Sequence, residues 1–311
     1  MVGRALTTTG EWRNRALVTD ANIYVSLWYI IVITGGLLPT LSIAFYTGQW
    51  CAPPFNYPSQ AIDKKVIILH VIPATCWLFG STAMLFATTF ENFNLHREIG
   101  LCLMQTIFVA FLASAMYSLV SDLSPLGKHV QLMEWFLAFG TWLYFVLGMY
   151  FIAQPGTEYH TGHKICMVTT MITASGPGFF RVLRHFRELV TGRLFRPSLF
   201  TNYSEVPSNE RNWTNLKSVE STYFCLAFIM TDAYLLFVFS RMGVLRDSEW
   251  SLLCWMVVSF PVISVLISAL LRFVPGLNND FSFSFALNYD FTTLMTQEKG
   301  IVSALLQEEK L

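Results

Sequence analysis

The chain has 311 residues, of which 54% are hydrophobic and only 13% charged. A soluble domain carries about 25% charged residues, so this composition points to a lipid bilayer. Lys+Arg and Asp+Glu stand at 20 each, which leaves no basic field for nucleic acid.

Residues 1–22 are a polar N-terminal segment containing Arg4, Glu11, Arg13, Arg15 and Asp20. The apolar stretch that follows the basic start of a cleaved signal peptide is not found there. A helix needs about 20 predominantly apolar residues to cross the hydrocarbon layer. On that criterion the spans run 23–46, 66–90, 99–121, 135–152, 165–180, 221–240 and 250–271. The fifth is charge-free only to Phe180, so its far end must use Arg181 or Arg184. Gly176-Pro177-Gly178 should break or kink it. The sixth is interrupted by Asp232.

The expected fold is therefore an all-α integral membrane protein of about seven transmembrane helices. The second to fifth spans form a central four-helix bundle over 66–186, which bears most of the histidines. A long basic loop follows over 187–218, then two further spans over 219–271, then a tail over 272–311. In the tail Phe281, Phe283 and Phe285 alternate, and 293–311 has amphipathic spacing. The tail and the basic loop are expected to dock protein partners; the alternative is a tail folded back on its own bundle. No internal repeat signals an inverted-repeat transporter. The six cysteines are scattered through apolar segments, which fits small buried hydrophobes better than disulfides or a zinc motif.

Seven spans put the termini on opposite sides. Side A receives Lys64, Lys65, Lys128, the loop with Arg187, Arg193, Arg196, Arg211 and Lys217, and the tail. Side B receives the N-terminus and short loops with few basic residues. The positive-inside rule makes side A cytoplasmic, or matrix-facing in a mitochondrion. The sequons at Asn202 and Asn212 then fall on side A and carry no glycan.

Imidazole is costly to bury in a bilayer without a partner. His70 and His129 are expected near side A, with Glu134 further into the fourth span. His96, His160 and His163 are expected near side B, and His185 near the side A end of the fifth span. His160 and His163, three apart, share a helix face if the fifth helix starts early. Spans two and four would thus meet on side A, and spans three and five on side B. Facing imidazoles across a bundle can hold b-type haem, one at each end, making an electron path across the membrane. A metal on His70, His96 or His163 is the related option. Arg97, Arg181 and Arg184 could bind haem propionates through paired hydrogen bonds. The bland alternative is that these histidines are interfacial and structural. Asp232 could pair with an arginine, line a proton path or bind a substrate cation. The bland alternative there is an acid close enough to side B to reach water.

The block from His70 to Arg181 resembles a family of uncharacterised, mostly bacterial, predicted membrane proteins that share a domain of unknown function. The resemblance rests on His70, on His96-Arg97-Glu98-Ile99-Gly100, on His160, on His163-Lys164-Ile165-Cys166-Met167, and on Arg181. It covers about a third of the chain. Cys166 stands where that family usually has tryptophan. It implies shared sites but no named reaction. The layout is also similar to the ascorbate-reducible cytochrome b561 family, in which spans two with four and three with five carry two haems.

Several chemistries can be set aside. Membrane di-iron desaturases need about eight histidines in characteristic boxes, and this chain has six. The seventh span has no lysine for retinal, and there is no G-x-S-x-G elbow and no glycine-rich phosphate loop. Three expectations from different classes follow. One is a haem-binding electron carrier. Another is a non-catalytic subunit of a larger energy-transducing, respiratory-type complex. The last is a proton-linked small-molecule transporter using Asp232. The expected location is the mitochondrial inner membrane or a bacterial plasma membrane.

Overall fold

A computed structural model describes residues 21–47, 72–120, 128–156, 159–190, 213–247 and 249–271. All regular structure among the described residues is helical. Helix α1 covers 21–47 and contains a π-helical turn at Ile33–Leu37. Helix α2 is Ile72–Thr89, and α3 covers 93–120 with a second π-helical turn at Ile99–Met104. Helix α4 is Lys128–Ala153 and α5 is Tyr159–Ala174. Helix α6 is Gly176–Val190, α7 is Trp213–Met242 and α8 is Ser251–Leu271.

Three helical stretches are long and apolar enough to cross a membrane: Ala21–Ser42, Trp135–Ala153 and Thr222–Met242. Ser251–Ile267 is a shorter apolar helix. Large apolar side chains such as Ile30, Phe79, Phe86, Leu252 and Leu270 are exposed on the outer surface. Meanwhile Thr141, Thr169, Thr170, Thr231 and Asp232 are buried inside. Apolar groups outside and hydroxyls inside is the distribution expected against lipid, where interhelical packing uses small and hydroxylated residues. These features point to a membrane protein.

The packing order follows the chain. Helix α2 lies on α3, α3 on α4, and α4 along α5. Helix α7 packs on α5, α6 and α8, while α6 packs on the π-helical turn of α1. Side-chain bonds mark one common end. Asn22 at the start of α1 donates to Thr88 and Thr89 at the end of α2, at 3.0 and 3.2 Å. Arg241 at the end of α7 donates to the Tyr24 hydroxyl at 3.0 Å. Trp250, just before α8, packs on Phe151 at the end of α4 and against Gly162 near the start of α5.

The break expected from Gly176-Pro177-Gly178 falls at Ser175. Pro177 occupies the first turn of α6, where a missing N–H costs nothing. The carbonyl of Ser175 accepts from the amides of Gly178 and Phe179, at 2.9 and 3.1 Å, and so restarts the helix.

Candidate functional site

Two of the histidines expected on side B, His96 and His163, are each held by a backbone carbonyl of the preceding helix. Helix α3 begins early because the Asn92 side chain accepts from the Leu95 amide at 3.1 Å, an N-terminal cap. That cap makes residues 93–98 helical despite their charge and sets His96 against α2. There His96 Nδ1 lies 3.3 Å from the Met84 carbonyl oxygen. The π-helical turn starts three residues later, at Ile99. Such bulges re-aim side chains and are frequent at functional sites.

His163 is placed by close packing of α5 on α4. Gly148 of α4 has no side chain, and a Cβ there would meet Cys166 Cβ at 3.1 Å and Met167 Cε at 2.5 Å. The close approach lets His163 Nδ1 come within 2.8 Å of the Gly148 carbonyl oxygen. A carbonyl can only accept, so in both histidines Nδ1 carries the proton and Nε2 carries the lone pair. A carbonyl that accepts from Nδ1–H fixes the ring so that Nε2 is the atom free to bind a metal.

Burial keeps both rings neutral. It pushes His163 down to about 4, against the smaller opposing effect of the Gly148 carbonyl. Burial likewise lowers His96, with the Met84 carbonyl opposing. His96 lies close enough to His163 for the two rings to influence one another electrostatically, as do His160 and Lys164 of the same helix as His163. His160 itself is exposed, although it shares α5 with His163.

The remaining expected residues fall elsewhere. His70 lies outside the described residues. His129 and Glu134 stand on the N-terminal part of α4, and their side chains also lie outside them. The side A pair therefore has no described geometry. Arg97 is exposed beside His96. Arg181 is on α6, across the break from His163, and its Nη1 donates to the Pro177 carbonyl at 3.3 Å. His185 Nε2 lies 2.9 Å from Thr40 Oγ1, whose own proton goes to the Gly36 carbonyl at 2.8 Å. His185 must therefore donate through Nε2, and it ties the far ends of α1 and α6 together. Among the described residues, no group of three or more His, Cys, Asp and Glu side chains could hold a bare metal ion.

Asp232 is only 3% exposed. It sits well inside α7, about 15 Å along the helix from Met242 at 1.5 Å per residue. Among the described residues neither carboxyl oxygen has a hydrogen-bond partner. The cysteine reading holds for Cys166, Cys225 and Cys254, which are buried and free, whereas Cys76 is exposed. Sequence reasoning missed the carbonyls of Met84 and Gly148. The visible signal for the second is one of two glycines, Gly140 and Gly148, inside an apolar span.

No protein-family model, no curated protein and no solved structure matches this chain.

Proposed function

We propose that the chain is an integral membrane protein of about seven spans that holds a b-type haem between His96 and His163 for electron transfer. The observation that carries this reading is the shared tautomer. Both rings are pinned through Nδ1 to backbone carbonyls, and both Nε2 atoms keep their lone pairs. Two histidine ligands suit a haem, whose porphyrin supplies the other four nitrogens, and do not suffice for a bare ion. When bound, the haem supplies one-electron redox chemistry. His96 and His163 would hold the haem iron through their Nε2 atoms, and the π-helical turn that starts at Ile99 would help set the direction of the His96 ring. Arg97, next to His96, is a cation that would hold a propionate.

The common end shared by α1, α2, α4, α5, α7 and α8 supports the alternating path of the spans and the side B assignment. The wider setting is a subunit of an energy-transducing, respiratory-type complex. It is supported by the basic 187–218 segment and the aromatic tail, both outside the described residues. The resemblance to the uncharacterised membrane family is consistent with a shared side B site, because His96 and His163 both belong to its pattern.

The test is an absorbance spectrum of the purified chain. The expected result is a b-type α-band on reduction that is lost in His96→Ala and in His163→Ala, while His160→Ala and His185→Ala retain it. A colourless wild type with intact helical circular dichroism overturns the reading. Co-migration with a large assembly on a native gel tests the setting; a free monomer counts against it.

A further inference from the structure

We propose that Asp232 is a proton-binding site in the interior of the bundle, reached along a hydroxyl-lined face of α5. The inference does not rest on the haem reading, since it uses different residues and a different helix pair.

The geometry starts at the contact between α6 and α7. A Cβ on Gly176 would meet the Phe228 ring, with Cε1 at 2.6 Å, so these two residues touch. Asp232 lies one turn beyond Phe228 on α7, and Thr173 lies about one turn before Gly176 on α5. The two chains run in opposite directions there, so both steps lead toward the same end of the molecule. Asp232 and Thr173 are therefore at about the same depth, within one helical turn of about 5.4 Å. Both are 3% exposed. Among the described residues, Thr173 Oγ1 and both Asp232 oxygens have no hydrogen-bond partner. Two unpartnered buried groups at one level, on helices that pack together, are costly as scaffold and expected of a site that binds something small and polar.

The groups around Asp232 suit a proton. Tyr144 of α4 lies within electrostatic reach of Asp232 and of Cys166 on α5. Cys166 in turn lies near Cys254 of α8. Among the described residues neither carboxyl oxygen of buried Asp232 is bonded to a cation. An ionised carboxylate in apolar surroundings with no cation beside it is far costlier than the protonated acid. The protonated form is also the only one that can donate a hydrogen bond.

A route is visible from the His163 end. Cys166, Thr169, Thr170 and Thr173 follow i, i+3, i+4, i+7 spacing, which is one face of α5. Each of the first three is fully buried. Thr169 and Thr170 donate to the carbonyls of Ile165 and Cys166, at 2.7 and 2.8 Å, which leaves their oxygens free to accept. The face starts one turn inside His163 and ends level with Asp232.

The test is infrared spectroscopy of the full-length chain in micelles of an alkyl maltoside, a detergent without a carbonyl group. The expected spectrum contains the carbonyl stretch of a protonated carboxylic acid that vanishes in Asp232→Asn. This band should shift to lower frequency within minutes of exchange into D2O. Thr170→Val is expected to slow that shift at least tenfold without removing the band. A band that never shifts would mean a sealed structural acid, and a band still present in Asp232→Asn would mean another residue; either overturns the proposal. If Asp232→Asn fails to fold, wild-type protein is treated at neutral pH with dicyclohexylcarbodiimide, a hydrophobic reagent for protonated carboxyls, and mapped by mass spectrometry. An adduct on Asp232 supports the site. No adduct there, or equal labelling by a water-soluble carbodiimide, refutes it.

Discussion

Trp28 lies between Phe179 of α6 and Tyr234 of α7, stacked on both with ring centroids 4.6 and 4.8 Å apart. Its indole Nε1 donates to Ser175 Oγ at 2.6 Å, and that hydroxyl passes its own proton to the Ile172 carbonyl at 2.7 Å. One side chain of α1 therefore fixes the break between α5 and α6 and the flank of α7. In a low-dielectric interior an unsatisfied indole N–H costs more than the net worth of the bond. Trp28→Phe and Ser175→Ala are each expected to destabilise by about 1–3 kcal/mol. The double variant should cost clearly less than the two together, because both remove the same bond. Thermal unfolding in detergent measures all three, and strict additivity would show that the bond contributes nothing. Little of this was legible in advance. The sequence marks Gly176-Pro177-Gly178 as a break, but it does not say which side chain satisfies the carbonyls and amides that a break leaves. The histidines show the same division. Their approximate depth follows from the flanking charges, whereas their tautomers depend on which carbonyl the next helix presents.

Helix lengths illustrate a second limit of reading charge-free runs. Such a run starts the third span at 99 and the fourth at 135, but α3 starts at 93 and α4 at Lys128. Polar residues near a membrane interface keep their helical hydrogen bonds and simply reach toward water. A lack of charge therefore marks the apolar part of a helix and not its ends. The π-helical turns were not legible at all, since an inserted residue leaves the composition unchanged. The turn at Ile33–Leu37 has a clear packing role. A Cβ on Gly36 would meet the Gly178 carbonyl oxygen at 2.5 Å, so the α1 and α6 backbones are nearly in contact. A Cβ on Gly35 would meet only Val182 side-chain carbons, the nearest at 3.2 Å. Gly36→Ala should therefore force α1 and α6 apart and cost about 1–3 kcal/mol through overpacking. Gly35→Ala, with the same gain in helix propensity and only a movable valine to displace, should cost under about 1 kcal/mol. The paired variants separate close packing from propensity, and equal unfolding temperatures would refute the packing account. The displaced α6 should also weaken the bond between Thr40 and His185 at the far end of the same helix pair.

At the scale of the whole molecule, the question is which helix ends share a membrane face. The bonds from Asn22 to Thr88 and Thr89 join the start of α1 to the end of α2. The bond from Arg241 to Tyr24 joins the end of α7 to the start of α1. The contacts of Trp250 join the start of α8 to the end of α4 and the start of α5. The turns at 90–92, 154–156 and 243–247 therefore gather at one end, which is also where His96 and His163 sit. The alternation of seven spans read from the sequence puts those turns together on side B, opposite the basic 187–218 segment, by independent reasoning. The two arguments make one prediction. Single cysteines replacing Asn94, Gln154 and Arg246, in a background without native cysteines, should react alike with a membrane-impermeant maleimide in sealed, uniformly oriented vesicles. A cysteine replacing Thr201 should show the opposite accessibility. Labelling of Asn94→Cys and Arg246→Cys from opposite faces would break the alternating path. It would also separate the histidine neighbourhood from the membrane face assigned to it.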